Sequence, residues 1–167
     1  MDYRVKRLFG TLFVTALVIL VWALVTGTAH AQTRASIFTT AQLFQGVPVA
    51  QRECLNGKES SCEVVRSITN ELIDRGALQA ASTPTIDKLR VLVSFSAACM
   101  RSGACAQDAA IMGDAFATML IANRITPDEY LHAIDTHYGE LWALGPTFCT
   151  VLLNTYANVQ RDRANGL

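Results

Sequence analysis

The chain has 167 residues with equal numbers of basic and acidic side chains, and 51% of it is hydrophobic. Lys and Arg form no cluster, which excludes a nucleic-acid-binding footprint. The length suits one domain with a single apolar core.

The chain opens with Arg4, Lys6 and Arg7, followed by an apolar run over 8–25 and then Ala29-His30-Ala31 before Gln32. That order of basic, apolar and small-residue segments predicts a secretory signal peptide over 1–31, cut after Ala31. The apolar run has about 18 residues, against about 7–15 in a removed signal, so a retained inner-membrane anchor is the alternative. Either way residues 32–167 are expected outside the cytoplasm, periplasmic or secreted, with the membrane touched only through 8–25 if that segment stays. Without residues 1–31, eleven basic and thirteen acidic residues remain.

Beyond Gln32 the apolar spacing is helical. Val65, Ile68 and Leu72 recur at three and four residues, as do Met112, Phe116, Met119 and Leu120. Leu131, Ile134, Tyr138 and Leu141 repeat the stripe. Helices are predicted near 38–55, 61–75, 84–101, 105–123, 127–143 and 147–161. Gly46 and Pro48 are expected to break or kink the first. The fold class is all-α, a compact, disulfide-stapled bundle of five to six helices with short antiparallel connections.

Two segments have the capping-box order, Ser60 with Glu63 and Thr126 with Glu129, the second with Pro127 at the first helical position. Thr83-Pro84 and Gly145-Pro146-Thr147 mark further starts. Gly76, Gly103 and Gly145 sit where a helix end calls for a left-handed residue.

Five cysteines in an exported domain read as two disulfides and one extra thiol. Cys54 and Cys62 flank one Gly-containing corner, and Cys99 and Cys105 flank another. A tight corner brings such pairs within bridging distance, so Cys54–Cys62 and Cys99–Cys105 are the favoured pairs, with cross-hairpin pairing the competitor. The two corners resemble a duplicated unit, although two copies are too few for a solenoid. Cys149 is left as a free thiol. Near a helix start it is either a reactive nucleophile, an intermolecular bridge or a buried small apolar side chain.

Asp128, His132 and Asp135 fall on one helix face and are the only metal candidates, with no further His or Cys run to complete a zinc site. A solvated helix face explains them as well, with Asp128 and Glu129 favoured by the helix start. Cys149 with His132 or His137 has the residue types of a nucleophilic dyad, but no spacing specifies one. Gly57-Lys58-Glu59-Ser60 resembles the end of a phosphate loop, yet Arg52 stands where its first Gly belongs. Nucleophile-elbow, zinc-protease and haem-attachment motifs are missing. No catalytic residue, metal or cofactor is therefore assigned. Aromatic residues gather in the second half, mostly as expected core. Tyr138, Trp142 and Tyr156 are candidate interface residues, because Tyr and Trp anchor protein contacts.

The stretch 99–159 resembles the small periplasmic immunity proteins that neutralise type VI secretion amidases. The similarity lies in Cys99 and Cys105 before Ile111-Met112-Gly113-Asp114-Ala115, in Ile125-Thr126-Pro127-Asp128-Glu129-Tyr130-Leu131, and in Leu152 and Tyr156. The chain lacks a Cys-x-Pro before Ile125 and a closing Pro-Cys. The resemblance implies an exported helical inhibitor that needs no catalytic residues.

The expected function is a non-enzymatic exported domain that binds another protein, as an inhibitor or immunity factor of the cell envelope. The alternative is a structural or accessory subunit of an envelope assembly anchored through 8–25. A third reading is a metal- or thiol-dependent enzyme using Asp128, His132 or Cys149.

Overall fold

The helix starts show how local chemistry sets the architecture. In the computed structural model, which describes residues 35–105 and 109–166, Thr39 caps helix α1 (Thr40–Leu55). Its hydroxyl accepts from Gln42 N at 3.3 Å, and Gln42 Oε1 accepts from Thr39 N at 2.9 Å. The same reciprocal box joins Thr126 and Glu129 at the start of α5 (Pro127–Leu144), with Pro127 in the first turn. Each box satisfies two backbone donors that the helix itself leaves free. The signal or anchor segment and the expected beginning of the fourth helix lie outside the described residues.

Between these caps run α2 (Glu59–Asp74), α3 (Thr85–Arg101) and α4 (Ala109–Ala122), and after α5 a 3₁₀ turn (Pro146–Phe148) leads into α6 (Cys149–Ala164). All elements among the described residues are helical, in agreement with the periodicity. In chain order they form three helix–turn–helix units, α1/α2, α3/α4 and α5/α6; α1 packs on α2 and α5 on α6, whereas α4 rests mainly on α6 and only lightly on α3. The first helices of the hairpins run parallel to one another. Thr85 meets Glu129 at the start of α3 and α5, a Cβ on Gly145 after α5 would touch Ala97 and Val93 on α3, and Gln51 of α1 donates to Leu144 O at 2.6 Å. All three hairpin corners therefore lie at one end.

Cys54 and Cys62 are bonded, as are Cys99 and Cys105, so the two favoured pairs form. Cys54 and Cys99 each stand fifteen residues after the N-cap of their hairpin, Thr39 and Pro84. In the third hairpin that position, counted from Thr126, is the buried Leu141. Cys62 lies twenty-three residues after Thr39, and Cys149 lies twenty-three after Thr126. The duplicated corner thus has a third counterpart, closed without a covalent bond.

Three local expectations are corrected. Helix α1 continues through Gly46 and Pro48, because Leu43, Val47, Ala50 and Cys54 bury one stripe on both sides of the proline. That packing offsets the roughly 3 kcal/mol an internal proline costs. Ser60 is not a cap: α2 begins at Glu59, two residues earlier than expected, behind Lys58, and Ser61 donates to Glu53 Oε2 at 2.9 Å. Gly76 and Gly103 are left-handed as expected, with φ of 64° and 68°, but Gly145 has an extended φ of −153°. Gly145 is needed for space, since a Cβ there would stand 3.0 Å from Ala97 Cβ and 3.2 Å from Val93 Cγ1.

The core runs through all three hairpins, with Leu43, Ile68, Leu89, Phe116, Tyr130 and Phe148 fully buried. Lys88 is buried as well, and its ammonium donates to Asn123 O at 3.3 Å, at the negative end of α4. Arg124 takes the left-handed C′ position (φ 56°), while Ile125 N reaches back to Leu120 O at 2.9 Å, turning the chain sharply into α5.

Candidate interaction site

Helix α5 presents different chemistry on its two flanks. Toward α6 lie Asp135, Tyr138 and Trp142, at the i, i+3 and i+7 spacing that aligns side chains. Tyr138 and Trp142 pack edge to face with centroids 5.7 Å apart, and Trp142 remains 45% exposed. On α6 the matching stripe is Cys149, Leu153, Tyr156 and Gln160. Tyr156 OH donates to Asp135 Oδ1 at 2.7 Å and accepts from Gln160 Nε2 at 2.9 Å. That bond to a carboxylate, above all, raises the Tyr156 phenol. Leu153, one turn earlier, is 46% exposed. The three interface candidates thus share one seam. By contrast Phe116, Tyr130 and Phe148 form an interior aromatic cluster, with Phe116 at 5.0 Å from Phe148 and 6.2 Å from Tyr130. Tyr130 OH satisfies itself on Leu152 O at 3.0 Å, and burial pushes its pKa up.

The polar candidates do not converge. Asp128 pairs with Arg163 at 3.2 Å, Asp135 serves Tyr156, and His132 is exposed between them. Among the described residues no group of three His, Cys, Asp or Glu is placed to hold a metal ion. Cys149 is buried, and its thiol donates to Gly145 O at 3.3 Å. Burial raises that thiol, which overrides the helix-start effect expected to lower it and is opposite to what a nucleophile requires. His137 does not turn to Cys149; its Nδ1 lies 3.7 Å from Glu140 Oε2. The phosphate-loop fragment falls within the first stapled corner, where Gly57 is left-handed and Lys58 pairs with Glu53 at 3.1 Å.

The other flank carries a feature that sequence reasoning missed. A groove of about 770 Å³ lies between the first half of α1, residues 82–84 and the start of α3, and Glu140 of α5 closes it. Phe44, Pro48 and Pro84 form its apolar wall, and Arg90 lies in it with both Asp87 and Glu140 at 2.5 Å. The hydrogen bond to Glu140 is the main cause that raises the Arg90 guanidinium pKa, and the same bond lowers the Glu140 carboxyl. A break in α5 accompanies this contact: His137 is non-helical, with φ −123° and ψ 16°. One residue earlier Thr136 Oγ1 donates to His132 O at 2.8 Å, a back-bond that bends helices. No local pattern announces it, because Arg90 and Glu140 are 50 residues apart and meet through tertiary packing.

In comparisons with known proteins, no family model, no curated protein and no solved structure matches the chain. Among the described residues no helix is long and apolar enough to cross a membrane.

Proposed function

We propose that this is an exported domain that acts by binding another protein of the cell envelope, as an inhibitor or immunity factor, and not by catalysis. Two disulfides suit an oxidising compartment. The observation that carries the reading is the seam of Tyr138, Trp142, Leu153 and Tyr156, where aromatic and aliphatic surface remains exposed on a disulfide-stapled scaffold. Interface energy concentrates in a few such anchors. The test is to cross-link the tagged chain in the envelope beside its Trp142→Ala variant. A discrete partner held by the first and released by the second, with an unchanged melting temperature, supports the reading. Equal capture by both, or an enzymatic activity abolished by His132→Ala or Cys149→Ser, overturns it.

An accessory subunit of an envelope assembly is the second reading, favoured by the unusually long apolar run over 8–25. N-terminal sequencing separates the two: a start at Gln32 supports the soluble inhibitor, and intact Met1 in the membrane fraction supports the anchored subunit.

A further inference from the structure

We infer that the groove across the first helices of the three hairpins binds an extended peptide segment carrying a basic side chain. The inference rests on the protein-binding reading above and adds a second surface to it, on the opposite flank of α5 from the aromatic seam.

The architecture supplies the first argument. Stacked helical hairpins whose first helices run parallel make long binding surfaces across those helices. Here α1, α3 and α5 all contribute to one groove of about 770 Å³. Charge supplies the second. The groove holds two carboxylates, Asp87 and Glu140, against the single guanidinium of Arg90, a balance of one negative charge. His137, beside Glu140 at 3.7 Å, is the remaining titratable group in that network. Arg90 holds both carboxylates in place along the groove, so a Lys or Arg from outside meets positioned acceptors instead of mobile ones. The third argument is local. Pro48 stands one turn after Phe44 on α1, so both line the same apolar wall. Phe44, Pro48 and Pro84 can then hold an apolar residue next to the basic one. An anionic peptide would place its charge against Asp87 and Glu140 and is disfavoured.

The experiment uses the purified full chain, as recovered from the envelope, against a phage library of random dodecapeptides. Enrichment of Lys- or Arg-containing peptides with apolar neighbours is expected. Their dissociation constants should rise at least tenfold with Glu140→Lys and several-fold with Glu140→Gln or Phe44→Ala. Each variant is checked by thermal melting, and Glu140→Gln carries the test if Glu140→Lys melts early. Trp142→Ala should leave peptide affinity within twofold. Absence of selected peptides, enrichment of acidic ones, or peptides insensitive to Glu140 and Phe44 would overturn the groove proposal. Because the seam is read out by Trp142→Ala and the groove by Glu140 and Phe44, either can fail while the other stands.

Discussion

The first two hairpins and the third solve one geometric problem by different means. Each must hold two helix ends together at a tight corner. Cys54–Cys62 and Cys99–Cys105 do this covalently, around glycines at φ 97° and 68° whose space is open or nearly so. At the third corner Leu141 and Cys149 occupy the corresponding positions, Gly145 is crowded by Ala97, Val93 and Phe148, and the aromatic ring of Phe148 is buried against Phe116. The difference teaches that packing replaces the staple where the corner is seated on a neighbouring hairpin. A staple acts on the unfolded chain, whereas packing acts only once α3, α4 and α5 have assembled.

The largest expected effect breaks the packed corner. Phe148→Ala removes a fully buried ring and should destabilise by about 3–5 kcal/mol, measured by urea unfolding, with the same loss whether or not reductant is present. The stapled corners come next. Replacing either disulfide by alanines should cost about 2.5 kcal/mol in the chain-entropy model for loops this short. Reduction of the unaltered chain should lower its melting temperature, and equal melting with and without reductant would contradict the contrast between corners.

Smaller effects sharpen it. Gly145→Ala introduces a Cβ at 3.0–3.3 Å from three side-chain carbons and should cost about 1–3 kcal/mol by overpacking. Gly103→Asn, in open space and left-handed, should cost less, because Asn tolerates that backbone. Leu141→Cys recreates the missing half of the third staple. Non-reducing peptide mapping is expected to link residues 141 and 149, and full alkylation of both thiols in the denatured, unreduced chain would show that the corners are not equivalent. In the unaltered native chain Cys149 should resist iodoacetamide until denaturant is added, since it is buried and its thiol is raised.

What the sequence made legible was local. The helical elements, the Thr126–Glu129 box and the corner disulfides follow from spacing within about twenty residues, and the structure keeps them, with helix ends displaced by up to three residues where they are described. The Thr39–Gln42 box carries the same S/T-x-x-Q signal and was readable, while Ser60–Glu63 carries it without capping, because Ser61 and Lys58 are drawn to Glu53. Pro48 shows where local rules lose: burial on both sides of it outweighs its cost. The buried Lys88 and the Arg90–Glu140 contact across the groove depend on residues 35 and 50 positions apart, so no window of periodicity contains them. The aromatic seam was half legible. Residue types named Tyr138, Trp142 and Tyr156, but only the structure shows Tyr156 bonded to Asp135, one turn before Tyr138, and Leu153 exposed one turn before Tyr156.

Acid offers the finest discrimination between hairpins, because their start signals differ by one titrating group. The first is boxed by Gln42, which does not ionise, and the third by Glu129, whose carboxyl is lowered chiefly by the backbone N–H of Thr126. Glu140, also on the third hairpin, is lowered by Arg90. A carboxyl lowered on folding stabilises the fold above its unfolded pKa, about 4.3 for Glu, and that contribution is lost as pH falls through the lower folded value. Both groups are exposed, so each contribution is only a few tenths of a kcal/mol after solvent screening. Hydrogen exchange at about pH 6 and about pH 3, corrected for intrinsic rates, should therefore show α5 losing more protection than α1. Glu129→Gln should abolish most of that difference at the start of α5, since a neutral amide still accepts from Thr126 N but no longer titrates. Reductant should act in the opposite sense, loosening the first two hairpins ahead of the third. If acid and reductant instead open all three hairpins together, the array unfolds as one cooperative unit and the corners are not independent.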